Sequence, residues 1–271
     1  MSNNSFIEEC FKIIKDKNID FLYSGHPLGM KFSESTSKLR LCLQRMETEE
    51  YGQTSRPRIS DSRNVRRDIT SKYQLDYLRD DIIQISNQFA ISIAQALYFL
   101  PNTSEIKYSY FYNKSDSFYW YNIDNGYKIA SSGWDRISFL LNLAFNLGIE
   151  KYNLSNVLAA IANKIDGASK NDNFKSLKKF RDGEFKELEH KLSEGIRHEV
   201  IHIITRPTRF WCELLEQIEH DEKYMVKNRF ELEEKRANEV KLLEEHYKHF
   251  LTGIDDSLDL VESFFDEKFF K

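Results

Sequence analysis

Leu75, Leu78, Ile82, Ile85, Phe89, Ile93 and Leu97 recur at steps of three and four residues. That spacing lays one apolar stripe along a helix and fits no strand, whose side chains alternate every two residues. The helix is expected from about Ser71 to Leu100, and Pro101 stops it. A similar apolar pattern runs through Leu177, Phe180, Phe185, Leu188, Leu192, Ile196, Val200 and Ile203, and the three- and four-residue steps return in Val240, Leu243, Tyr247, Phe250 and Ile254. With only 10 Gly and 4 Pro in 271 residues, few tight turns are available. The expected class is mainly α, a helical bundle, rather than an all-β or Rossmann-like fold.

The remaining segments fit around these stripes. Residues 5–17 form a short amphipathic helix with Phe6, Ile7, Phe11 and Ile14 on one side, and a Gly/Pro break follows at Gly25–Gly29. The stretch Lys38–Glu50 is compatible with a helix or a strand. Residues 51–68 read as a solvated loop carrying Arg56, Arg58, Arg63, Arg66 and Arg67, or as an arm contacting nucleic acid. This divides the chain into an N-terminal region, 1–70, and a helical domain, 71–271. The aromatic segment Glu105–Lys128, with Asn113–Ser117 between two Tyr/Phe runs, suggests a small β-hairpin or a flap over the helices. A stacking platform for bases is its functional alternative.

Ser131 or Ser132 is expected to cap a helix that runs to Leu147 and ends at Gly148. Asn153 or Ser155 opens a short helix through Ile165, and a polar loop, Asp166–Asn173, follows. A long helix from Phe174 to Thr205 ends before Pro207. The segment Glu219–Glu239 is so charged that it reads as a solvated helix or a partner-facing arm.

Cys10, Cys42 and Cys212 are far apart and form no Cys-x-x-Cys clip, which argues against a disulfide framework or a thiolate zinc site. The apolar run Phe139–Phe145 is too short to span a membrane and is interrupted by Asn142. The first residues carry acids and no small-residue cleavage site, so no signal peptide and a cytoplasmic location are expected. A net charge of −4 confines any nucleic-acid surface to a local patch. No Walker loop or dinucleotide fingerprint is present, so no cofactor is expected.

Chemistry concentrates in six residues, Arg197-His198-Glu199-Val200-Ile201-His202. From His198 they spell His-Glu-x-x-His, which on a helix sets two imidazoles on one face for zinc, with Glu199 as general base. A catalytic zinc needs a third protein ligand. Thr205 and Thr208 stand where the extended protease pattern has Gly and His. Glu213, Glu216, Glu219 and Glu222 are available, but an available Glu in so acidic a segment says little. From Arg197 the same residues spell Arg, a polar residue, three more, then His. RNA carries its own nucleophile, the 2′-OH, so a well-placed base and acid suffice without a metal. His202 suits proton transfer near neutral pH. The Arg197 fork suits two-point contact with the scissile phosphate and its transition-state charge. His198 can orient the phosphate or share proton transfer, and Glu199 can set a histidine tautomer.

The Arg-x4-His spacing in a largely helical chain resembles the higher-eukaryote and prokaryote nucleotide-binding (HEPN) superfamily. Arg197, His198 and His202 match its motif position by position, over a resemblance spanning roughly residues 71–215. His198 replaces the more usual Asn, and Ile203-Ile204 stand where a small residue or Pro is usual. The resemblance implies a helical bundle and a metal-independent endoribonuclease. It also implies a homodimer with a composite active site and a toxin–antitoxin or phage-defence setting, with an antitoxin or regulatory partner. A non-catalytic nucleotide-, RNA- or partner-binding module is the alternative within the same family. The arginines of 51–68 would add RNA contacts.

Overall fold

A computed structural model describes residues 3–22, 25–51, 62–102, 114–150, 153–183 and 222–269. Seven α-helices lie among them: α1 (Asn3–Asp16), α2 (Pro27–Tyr51), α3 (Ser62–Phe99), α4 (Lys114–Ala144), α5 (Leu154–Lys164), α6 (Asp172–Asp182) and α7 (Glu222–Phe269). Short 3-10 turns occupy Leu100–Asn102 and Ala168–Lys170, and no strand occurs among the described residues. The mainly α class holds.

The helix ends follow from local chemistry. α2 starts at Pro27, whose missing N–H costs nothing in a first turn, and the Leu28 N–H donates to His26 Nδ1 at 3.2 Å. α1 and α4 close on asparagines in the left-handed region, Asn18 (φ 49°) and Asn146 (φ 48°). Behind each, the next N–H reaches back to an earlier carbonyl, Ile19 to Ile14 at 2.9 Å and Leu147 to Asn142 at 3.1 Å. Asparagine tolerates this conformation better than other residues with a Cβ. Asn153 caps α5 by accepting the Asn156 N–H at 2.8 Å. Asn171 does the same for α6, accepting from Asn173 and Phe174 at 2.9 and 3.1 Å.

The chain forms two compact units, each assembled from separated stretches. The first comprises residues 1–21, 86–131 and 182–250. Cys10 and Ile14 of α1 pack on Ala94 of α3, flanked by Phe6, Ile13, Ile19, Phe21 and Ile91. Phe89 meets Tyr247 edge-on at 5.1 Å and Phe250 at 6.4 Å. Tyr119, Ile123, Tyr127 and Ala130 of α4 and Val240 and Leu243 of α7 are buried. Gly126 lets the helix backbone approach Leu243, since a Cβ there would stand 2.6 Å from its Cδ2.

The second unit comprises residues 22–85, 132–181 and 251–271. Trp134 is buried there, stacked on Phe180 at 4.4 Å. Its ring lies against Gly253 of α7, where any Cβ would stand 2.3 Å from the Trp134 Cη2. Lys31 of α2 bridges Asp255 and Asp259 of α7, the latter at 2.6 Å. Burial alone would lower the Lys31 pKa, but the bonds and charges of these two aspartates outweigh it and raise it.

Four expectations are corrected. Residues 114–128 belong to α4 and form no second strand of a hairpin, and Asn113 and the rest of 103–113 lie outside the described residues. The buried Tyr119, Ile123, Tyr127, Ala130 and Trp134 recur at helical steps, so core burial sets this segment's structure despite its strand-forming aromatics. The helix expected from Ser131 or Ser132 begins instead at Lys114 and ends at Ala144. The helix expected from Phe174 to Thr205 is interrupted, since α6 ends at Asp182 and Gly183 lies in a turn, while residues 184–205 lie outside the described residues. Finally, residues 62–68 of the expected loop are helical, and residues 52–61 lie outside the described residues. The doubtful stretch Lys38–Glu50 is helix throughout.

Candidate functional site

Arg197, His198, Glu199 and His202 lie outside the described residues, as do Arg56 and Arg58. Arg63, Arg66 and Arg67 are placed in the first turns of α3. At i, i+3 and i+4 their Cα atoms share one side of that helix. The four catalytic candidates are located by sequence alone.

Two polar constellations that the sequence reading did not single out are described. The first is buried in the unit formed by residues 1–21, 86–131 and 182–250. Arg236 Nη1 lies 3.2 Å from Asp116 Oδ1, with side chains only 2% and 3% exposed. The Tyr119 hydroxyl donates to the Arg236 carbonyl. One turn further, the Tyr127 hydroxyl donates to Glu239 at 3.2 Å, and its ring meets His246 edge-on at 5.9 Å. Burying a guanidinium and a carboxylate carries a large desolvation cost, offset only when they pair closely. Sealed from solvent, this pair orders α4 against α7 and offers no access to a substrate. A signal existed in the sequence: Arg236 precedes Val240 and Leu243 by four and seven residues and so continues their stripe.

The second is a cleft of about 450 Å³ in the other unit, lined by Tyr77, Leu78, Asp80, Asp81, Gln84, Arg136 and Phe139. Arg136 pairs with Asp81 across α4 and α3, and Arg79 holds Asp80 at 2.8 Å. Each cation here already faces a carboxylate, so the cleft is a poor receptor for a phosphate. Among the described residues it holds no Ser, Cys or His nucleophile.

Among the described residues no three His, Cys, Asp or Glu side chains gather as a metal site, and no helix is long and apolar enough to cross a membrane. The chain matches no family model, no curated protein and no solved structure.

Proposed function

We propose that this protein is a metal-independent endoribonuclease of the HEPN type, with Arg197 and His202 as its central pair. The observation that carries the reading is the hexapeptide Arg197–His202 in a chain whose described elements are all helical. The 2′-OH of RNA attacks the adjacent phosphorus, and the bond to the 5′ oxygen of the next nucleotide breaks. His202 moves the proton at one of these oxygens, and Arg197 holds the phosphate and its added negative charge. The products are a 2′,3′-cyclic phosphate and a 5′-hydroxyl end. His198 and Glu199 act beside them, orienting the phosphate and fixing an imidazole tautomer. One Arg–His pair is a sparse site, and two copies facing each other would complete it, so the reading includes a homodimer. A toxin–antitoxin or phage-defence role, in the cytoplasm, belongs to the same proposal.

Expression of the wild-type chain against His202→Ala tests it. Growth arrest with RNA fragmentation in the first and neither in the second is the expected result. RNA left intact by the wild type, with self-association retained, would favour a binding module. Activity abolished by EDTA and restored by zinc would favour the metal reading of His198 and His202.

A further inference from the structure

The outward face of α4 between residues 114 and 128 combines exposed aromatics with lysines. Its exposed residues are Lys114, Ser117, Phe118, Tyr121 and Lys128, with half-buried Asn125 on the same side. At about 100° per residue these six fall within roughly 100° of the helix circumference, along about 21 Å of its length. The segment contains two acids. Asp116 is turned inward to Arg236, and Asp124, half-buried like Asn125, lies at the edge of this arc, about 20° beyond Ser117. Two lysines thus flank two aromatics with no exposed acid between them, although the chain carries net charge −4.

The aromatics are set out for contact. Phe118 is 51% and Tyr121 65% exposed, whereas their neighbours Tyr119 and Trp120 are buried. Phe118 stacks on Phe99 at 5.1 Å with planes 19° apart, and Phe99 in turn meets Phe6 at 5.7 Å. The ring is therefore held in one orientation, which reduces the ordering cost of stacking a further ring on this face. Flat rings one turn apart between cations match a single strand, whose unpaired bases stack while its phosphates meet ammonium groups. Duplex bases are already stacked and offer no such faces.

We infer that the Lys114–Phe118–Tyr121–Lys128 strip binds single-stranded RNA. This rests on the ribonuclease reading for its biological sense, but its geometry is independent of the catalytic pair. The test is fluorescence anisotropy of a labelled single-stranded oligoribonucleotide with the full chain carrying His202→Ala, which prevents cleavage. Adding Tyr121→Ala is expected to weaken binding about tenfold. Adding Lys114→Glu and Lys128→Glu is expected to weaken it further and flatten its salt dependence. Far-UV circular dichroism checks that each variant folds, and all three positions are exposed. Unchanged affinity in these variants, or equal affinity for a duplex of the same sequence, overturns the strip. Lost self-association with unchanged RNA affinity would assign it to a contact between copies and overturns it equally. Strip-dependent binding by a protein whose wild type cleaves no RNA would sustain the strip and remove the ribonuclease.

Discussion

Asp116 and Arg236 meet at 3.2 Å in the interior, with 3% and 2% of their side chains exposed. They join the first turn of α4 to a stretch of α7 that is among the most charged in the chain. Removing one member leaves the other charge buried alone, which typically costs about 3–5 kcal/mol. Asp116→Ala and Arg236→Ala should therefore each lower the urea midpoint sharply. Asp116→Leu with Arg236→Met should recover much of the loss, because neither charge then remains. Single variants as stable as wild type would remove the pair from any structural role.

Gly253 is a helix position where alanine should do harm. Alanine ordinarily favours a helix interior by about 1 kcal/mol over glycine. Here its methyl would enter the ring of Trp134, which is buried and stacked on Phe180. A rigid indole cannot yield easily, so Gly253→Ala should destabilise by about 1–3 kcal/mol. Gly126→Ala meets the ends of the Leu243 side chain instead, which can rotate away, so its effect should be smaller. Chemical denaturation of both variants gives the order.

Tyr247 gives the fold an alkaline limit. Its hydroxyl donates to the Asp20 carbonyl at 2.6 Å and lies 3.0 Å from Ser86 Oγ. Burial pushes its pKa well above the ordinary value, opposed by the Ser86 bond and assisted by Asp20. Above the ordinary tyrosine value, near 10, the unfolded chain releases this proton while the folded chain keeps it. Stability is thus fully present below that pH and falls as pH rises beyond it. Tyr247→Phe should cost about 1 kcal/mol at neutral pH and show a shallower decline above pH ~10.

Cys10 should be chemically quiet. Burial, and then the nearby Glu9 charge, push its thiol up to about 11, so almost no thiolate forms at pH ~8. Iodoacetamide treatment of the native protein at that pH, read by peptide mass mapping, should leave Cys10 unmodified. The same treatment in urea should label it fully. Labelling of Cys10 in the native state would contradict its packing against Ile14 and Ala94.

The helical class and several individual elements were legible because burial follows spacing. Leu75, Leu78, Ile82, Ile85, Phe89 and Ile93 are all buried in α3 as their steps require, and Asn153 caps α5 as its position suggested. The aromatic segment before Lys128 carries a strand-forming composition on a helical period: Tyr119, Ile123 and Tyr127 stand four apart, a helical step. Arg236 was hidden for a different reason. An arginine in an acidic run ordinarily faces water, and only its partner Asp116, 120 residues away, makes its burial tolerable. Schellman-type ends on Asn18 and Asn146 were missed because glycine is the commoner signal. The candidate catalytic residues stay legible as a motif alone, since Arg197, His198, Glu199 and His202 lie outside the described residues.

The most direct measurement is RNA cleavage by the purified wild-type chain and by Arg197→Ala in EDTA, with product ends identified by mass spectrometry. The ribonuclease account predicts 2′,3′-cyclic phosphate and 5′-hydroxyl ends from the wild type, and a rate lower by about 10²-fold or more in the variant. Equal rates in the two proteins, or a wild-type activity that vanishes in EDTA and returns with zinc, would contradict it.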